Sequence, residues 1–151
     1  MRADVNADLT NYRALRFLSR IAYGEESLNL KEIRDASAAS LSGGYQRFSP
    51  YAAAYGNALL WILYDPVRIT IVADGAALRD YITEINAVYI PETVVSVLSL
   101  SKDAELIREL KYDLHEAAVY LCAGKRCSKP IRGPERMKTE LRAFAGKSGR
   151  P

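Results

Sequence analysis

The second half of the chain alternates short β-branched or aliphatic runs with amphipathic segments. β-Branched residues favour extended backbone, so each run is a predicted strand. The three predicted strands are Val67–Val72, Thr93–Leu100 and Ala117–Cys122. The helices predicted to follow them begin near Ala76, Ser101 and Pro134. Strand–helix alternation is typical of parallel sheets with right-handed crossovers. We therefore expect an α/β fold in which N-terminal helices precede a β-α-β-α-β-α unit with a three-stranded parallel sheet.

The first half of the chain is predicted to be helical. Apolar residues recur at three-residue steps from Leu9 to Ile21, which indicates one amphipathic helix. A second, weaker helix is expected over Asn29–Leu41, and its predicted inward residues are Leu30, Ile33, Ala36 and Ser37.

A third predicted helix begins at Ser49-Pro50 and ends before Asp65-Pro66. It is apolar nearly all round, and such a helix must be covered on most sides. The change in pattern at Asp65-Pro66 divides the chain. We expect a helical segment over residues 1–65, a small α/β domain over residues 66–146 and a frayed tail over residues 147–151.

Composition excludes several classes of protein. Hydrophobic residues make up 49% and charged residues 26% of the chain, as is typical of a folded globular protein. The net charge of +3 is small and does not indicate a polyanionic partner. Nine basic and two acidic residues do crowd the stretch from Cys122 to Pro151. Because aromatic side chains that would stack on bases do not alternate with these charges, we expect no nucleic-acid partner.

The uncharged run from Phe48 to Tyr64 is the segment that most resembles a membrane span. A span needs about 20 apolar residues, whereas this run is shorter and contains Ser49, Pro50 and Asn57. We expect a buried helix and no contact with a membrane. The first residues lack the apolar stretch of a secretory signal peptide, so the expected location is the cytoplasm.

The two cysteines lie five positions apart, Cys122 at the end of a predicted strand and Cys127 in the loop after it. Lys125 and Arg126 between them would favour the thiolate form. Three interpretations remain open: a structural pair, reduced or disulfide-bonded; two separately packed thiols; and a working redox pair. Oxidoreductase sites usually have only two residues between the cysteines. Zinc would need further ligands that one histidine, His115, does not supply, so we expect no metal and no other cofactor.

The turns after the predicted strands are further candidates, since open parallel sheets bind ligands beyond the carboxyl ends of their strands. Asp74 and Gly75 follow the first predicted strand, Ser101 follows the second and the cysteines follow the third. One glycine is too few for a phosphate-binding loop, so Asp74 and Ser101 are interpreted first as helix N-caps and second as ligand contacts. His115 precedes the third strand, which predicts that it lies at the opposite edge. We assign no catalytic residue.

The segment Tyr120–Glu135 contains a short strand, a Cys-x4-Cys pair, Pro130-Ile131 and a Pro-Glu helix start. It resembles the C-terminal signature of the spermatogenesis-associated thioredoxin-domain family. Arg68–Gly75 is also similar, as an apolar strand that ends in Ala-Asp-Gly after a helix that stops at Asp-Pro. The resemblance extends from about Asn11 to Phe144.

Complete members of that family have a thioredoxin-like domain, a central (α/α) barrel and a small closing α/β domain. The resemblance implies that residues 1–65 correspond to the last barrel hairpins and residues 66–146 to the closing domain. The third helix would then lack its cover, and exposed apolar patches usually mark interfaces. We therefore expect a non-catalytic structural or interaction module that forms a homo-oligomer or binds a partner chain carrying the missing barrel. The alternatives are a thiol redox protein using Cys122 and Cys127, or a small-ligand binder at the strand ends.

Overall fold

The computed structural model describes residues 5–24, 28–43, 49–64, 66–90 and 92–146. The chain divides into two compact units, Met1–Tyr64 and Asp65–Pro151. The first unit is helical, and the second combines helices with a β-sheet. The tail expected over residues 147–151 lies outside the described residues.

The helical unit contains α1 (Val5–Gly24), α2 (Leu28–Leu41) and α3 (Ser49–Leu63). α1 packs against both of the other helices. The core of the helical unit contains the buried residues Tyr12, Leu15, Ala38, Tyr55 and Ala58. The Tyr55 hydroxyl donates a 2.9 Å hydrogen bond to the Ala38 carbonyl oxygen. This bond satisfies a buried hydroxyl and joins α3 to α2.

The inward face predicted for α2 is wrong in part. Ile33 is 46% exposed and Ala36 is exposed, whereas Ala38 is buried. Apolar residues of α2 are spread around the helix, so periodicity alone selects its buried side poorly. The contact between Tyr55 and the Ala38 carbonyl fixes which side faces α3.

α3 buries only part of its apolar surface. Ala58 and Trp61 are buried, and the Arg20 guanidinium of α1 lies 5.6 Å from the centre of the Trp61 ring. Leu63, in contrast, is 68% exposed, and Phe17 of α1 is 66% exposed. The helical unit therefore presents large apolar side chains on its surface.

The α/β unit contains seven elements within the described residues. In chain order they are β1 (Val67–Val72), α4 (Gly75–Asn86), β2 (Thr93–Leu98), α5 (Ala104–Glu109), β3 (Ala118–Ala123), β4 (Arg126–Cys127) and α6 (Pro134–Gly146). The predicted α/β class is confirmed. The two-residue strand β4 was not predicted from the sequence.

The predicted three-stranded parallel sheet is wrong, because the described sheet has four strands in the order β2-β1-β3-β4. β2 is parallel to β1, but β3 is antiparallel, with Ala118 opposite Val72 and Cys122 opposite Arg68. The predicted parallel arrangement assumed that a crossover helix carries the chain back along β2 before β3 begins. In the structure the connection from β2 to β3 contains only the six-residue helix α5, and the chain re-enters the sheet at the edge where β2 ends.

Alternate residues of β1 contribute to a core on each face of the sheet. Ile69 and Ile71 lie on one face with residues of β3, α4 and α6. Val72 lies on the other face, in a cluster completed by Leu98, Ile107, Ala118 and Tyr120. Burying one large aliphatic side chain contributes about 1.5–3 kcal/mol to the free energy of folding. The buried side chains of β1 are therefore a main source of stability in the α/β unit.

Tyr81 of α4 links three parts of the α/β unit. Its ring is buried, and its hydroxyl accepts a hydrogen bond from the Gly133 backbone N–H at 3.0 Å. The same hydroxyl donates to the Ala117 carbonyl oxygen at 3.3 Å. These bonds hold the segment that leads into α6 beside the start of β3. Gly133 has φ of +86°, a backbone conformation that glycine adopts without a steric penalty.

Candidate functional site

The carboxyl ends of β1 and β2 lie side by side and carry the candidates Asp74, Gly75 and Ser101. Asp74 follows β1, and its Oδ2 accepts a 2.9 Å hydrogen bond from the Ser101 backbone N–H. Gly75 begins α4 with φ of +56°, in the left-handed region that favours glycine. The structure thus brings Asp74 and Ser101 into contact across the two loops.

The Asp74 carboxylate is already engaged by its neighbours. The pKa of Asp74 is lowered, mainly because the Ser99 hydroxyl donates a hydrogen bond to it, with further hydrogen bonds from Ser101 and a favourable charge from Lys102. Asp74 occupies the N-cap position of α4 but makes no side-chain cap bond. A carboxylate with a lowered pKa is a weak base. The geometry therefore favours a structural role for Asp74, which holds the two loops together, over a role as a general base.

Ser101 does not cap α5, contrary to the sequence prediction. The residue before α5 is Asp103, and its Oδ2 accepts a 2.7 Å hydrogen bond from the Ser99 backbone N–H. The Ser101 hydroxyl instead lies 3.0 Å from the Ser99 hydroxyl. The prediction was wrong because the loop after β2 forms a turn before the helix begins. Lys102 and Asp103 both donate backbone hydrogen bonds to the Ser99 carbonyl oxygen in that turn.

His115 lies at the same edge as Asp74, not at the opposite edge, because β3 is antiparallel and starts opposite the end of β1. The His115 backbone N–H donates to Asp113 Oδ1 at 2.9 Å, and its side chain is exposed. Arg132 forms ion pairs with Asp113 and Glu116. The pKa of Asp113 is lowered, first by the hydrogen bond from the His115 backbone and then by Arg132. These contacts stabilise the loop before β3.

Cys122 and Cys127 form a disulfide. They are directly opposite one another in the β3–β4 hairpin, and their Cα atoms are 4.1 Å apart. Gly124 supplies the positive φ of +55° in the turn between them. The pair lies beside Arg68, near the start of β1, and therefore at the other end of the sheet from Asp74. The prediction that the cysteines share an edge with Asp74 and Ser101 is wrong, since it assumed a parallel β3.

A cleft of about 420 Å³ lies between this hairpin and α6. Basic side chains of Arg126, Lys129 and Arg136 border it, together with Glu140 and the Phe144 ring. The Arg126 guanidinium stacks over Phe144 at 4.8 Å from the ring centre, which fixes the direction of this long side chain. Cys127 is exposed and Cys122 is half-buried, so reagents in solution can reach the hairpin.

The described parts of the chain contain neither a metal-binding cluster nor a membrane-spanning helix. No group of three or more His, Cys, Asp or Glu side chains there is arranged to hold a metal ion. Among the same residues, no helix combines the length and apolarity that crossing a bilayer requires. Comparison with protein-family models, curated proteins and solved structures finds no match.

Sequence reasoning missed Ser99, Asp103 and Arg132. Ser99 and Asp103 are separated by three residues in a loop rich in serine, a spacing that allows local side-chain-to-backbone bonds. This signal could have predicted the hydrogen bond from the Ser99 N–H to the Asp103 carboxylate. Arg132 and Asp113 are 19 positions apart, and no local pattern indicates their contact.

Proposed function

We propose that this chain is a structural and interaction module rather than an enzyme. The observation that carries the proposal is the exposure of Phe17, Ile33 and Leu63 on the helical unit. Large apolar side chains left in water are unfavourable at about 25 cal/mol per Å². Exposed apolar patches on a folded protein usually mark interfaces, and we propose that these side chains belong to one.

A groove of about 720 Å³ between α1 and α2 supports the same proposal. Leu15 and Leu18 of α1 and Ile33 and Leu41 of α2 line it. An apolar groove between two helices suits the apolar face of a further helix. The occupant that the family resemblance implies is a helical hairpin of an (α/α) barrel on a partner chain.

The test is a variant in which Phe17→Ser, Ile33→Ser and Leu63→Ser are combined. We expect the wild-type chain to bind a hydrophobic fluorescent dye and the variant to bind several-fold less. The control combines Leu106→Ser and Leu110→Ser, which alter exposed leucines of the α/β unit and should leave most of the dye signal. A wild-type chain that binds no dye and remains a compact monomer contradicts the proposal.

A thiol redox function is the second candidate, favoured by the disulfide in an accessible hairpin. A dithiol reductant would attack one sulfur, release the other cysteine as a thiolate and form a mixed disulfide. Its second thiol would then displace the protein sulfur, which leaves two reduced cysteines and an oxidised reductant. Lys125 and Arg126 directly precede Cys127 in the sequence, and nearby positive charge would stabilise the released thiolate.

Titration of the reduced protein separates the two candidates. The redox function predicts that one thiol ionises well below the ordinary pKa of about 8.5, measured by alkylation rate against pH. In the structural function both thiols ionise near that value, and Cys127→Ser keeps its fold by circular dichroism.

The small-ligand alternative at Asp74, Gly75 and Ser101 has weaker support. The Asp74 carboxylate already accepts hydrogen bonds from the neighbouring loop, so a ligand would have to displace them. A thermal-shift screen with nucleotides and sugars tests it, and a reproducible stabilisation abolished by Asp74→Ala would favour this alternative.

A further inference from the structure

β2 has an open side. It is the first strand in the sheet order β2-β1-β3-β4, so no strand within the described residues pairs with it opposite β1. The Val67 N–H donates to the Glu92 carbonyl oxygen and the Ala73 N–H donates to the Leu98 carbonyl oxygen. Successive residues of a strand direct their backbone N–H and C=O groups to opposite sides. The groups of the even-numbered residues of β2 therefore point towards β1.

The backbone groups of Thr93, Val95 and Val97 consequently point to the open side. The next residue with this direction is Ser99, and its N–H is already bound by the Asp103 carboxylate. Thr93, Val95 and Val97 are thus the residues of β2 that can form backbone hydrogen bonds with a further strand. The open edge offers three N–H donors and three carbonyl acceptors in the geometry that another strand requires.

The side chains on this edge are apolar and uncharged. Val95 is 46% exposed and Val97 is 45% exposed, and no charged residue occurs from Thr93 to Ser101. Natural proteins commonly protect exposed edge strands with lysine, proline or a bulge inside the strand. β2 has none of these between Thr93 and Leu98.

We propose that β2 pairs antiparallel with β2 of a second copy of this chain, around a two-fold axis at Val95. A two-fold axis makes the pairing of one edge with itself antiparallel. In this register Val95 is opposite Val95 of the other copy, and Thr93 is opposite Val97. All three outward-facing residues exchange both of their backbone hydrogen bonds.

The open edge of β2 is complementary to itself, which favours a second copy of this chain as its partner. Val95 meets Val95 and Thr93 meets Val97 on the same face, and such pairs of β-branched side chains stabilise antiparallel strands. No like charges oppose the contact, since the strand carries none. The dimer would continue the sheet across both copies and would be independent of the helical groove proposed above.

The test compares the wild-type chain with Val95→Lys by sedimentation equilibrium over a range of concentrations. We expect the wild-type mass to rise from 16.8 kDa towards twice that value. Val95→Lys places two ammonium groups opposite one another, so its dissociation constant should rise about tenfold or more. Leu110→Lys changes another exposed apolar residue of this unit and should dimerise like the wild type.

A cross-linking experiment checks the register. Opposed residues of a hydrogen-bonded antiparallel pair have Cα atoms about 5.5 Å apart, within the range of a disulfide. Val95→Cys should therefore form a covalent dimer under mild oxidation, and Leu110→Cys should not.

Three results would overturn the proposal. They are a wild-type chain that stays monomeric at the concentration of an NMR sample, a Val95→Lys variant that dimerises as strongly as the wild type, and a dimer lost only in the variant of Phe17, Ile33 and Leu63. The last result would place the contact between copies on the helical unit.

Discussion

At the scale of single residues, Asp74 and Tyr81 each join elements that are distant in sequence. Asp74 connects the loop after β1 to the loop after β2. Tyr81 connects α4 to the start of β3 and to the segment before α6. Because each side chain accepts a hydrogen bond from a backbone N–H group, removal of its polar atoms should have a measurable effect.

Tyr81→Phe should destabilise the chain by about 1–2 kcal/mol, since it leaves the Gly133 N–H and the Ala117 carbonyl oxygen without this partner. Urea unfolding monitored by circular dichroism measures the change. Tyr89→Phe is the matched control, because Tyr89 is exposed and its substitution should have almost no effect. Equal effects of the two substitutions would contradict the role given to the Tyr81 hydroxyl.

Asp74→Asn should reduce the loss of stability in acid. The folded-state pKa of Asp74 is lowered, so the unfolded chain binds a proton at this group more readily than the folded chain. The stabilisation is complete above the unfolded pKa of about 4 and is lost as the pH falls through the lower folded pKa. Urea unfolding at pH 7 and at pH 3 should show a smaller difference in Asp74→Asn than in the wild type. Asp80→Asn, at an exposed position of α4, is the control and should change the difference less.

At the scale of elements, the connection through α5 and the β3–β4 hairpin together shape the sheet. The connection returns the chain to the sheet at the edge where β2 ends, so β3 runs antiparallel to β1. The hairpin then places Cys127 opposite Cys122. β4 has only two residues, so the disulfide is the covalent constraint that keeps this short strand paired.

Loss of the disulfide should destabilise the α/β unit by about 2 kcal/mol, the chain-entropy value for a short loop closed by cysteines five positions apart. Urea unfolding with and without a phosphine reductant measures it. The double variant Cys122→Ser and Cys127→Ser should match the reduced wild type and should not respond to the reductant. A wild-type chain of unchanged stability after complete reduction would show that β3–β4 pairing alone holds the hairpin.

At the scale of the whole molecule, the two units differ in the size of their buried apolar cores. Val67, Ile69, Ile71 and Val72 of β1 are fully buried, with a core on each face of the sheet. Those two core clusters contain eleven and five buried residues, whereas the described part of the helical unit has one cluster of five. Since apolar burial is the main favourable contribution to folding, the helical unit should be the less stable of the two in the isolated chain.

Trp61 allows this difference to be measured, because it is the single tryptophan of the chain and lies buried in the helical unit. In a urea titration, Trp61 emission should shift to longer wavelength before the backbone amides of Ile69 and Ile71 lose their protection from hydrogen exchange. A partner that covers the helical unit should bring the two transitions together. Coincident transitions in the isolated chain would contradict the expected order.

The sequence by itself determined most of the local structure. The strand at Val67–Val72, the helix start at Pro134 and the apolar third helix follow from β-branched runs, proline and apolar periodicity, which act over a few residues. Only the tertiary structure decided the direction of β3. This direction separates the cysteines from Asp74 and places His115 at the same edge of the sheet as Asp74. Strand direction depends on the path that a connection takes beside the sheet, and on the strand that pairs with β1 on the side opposite β2. Both are properties of the folded chain, because they depend on contacts between residues far apart in sequence.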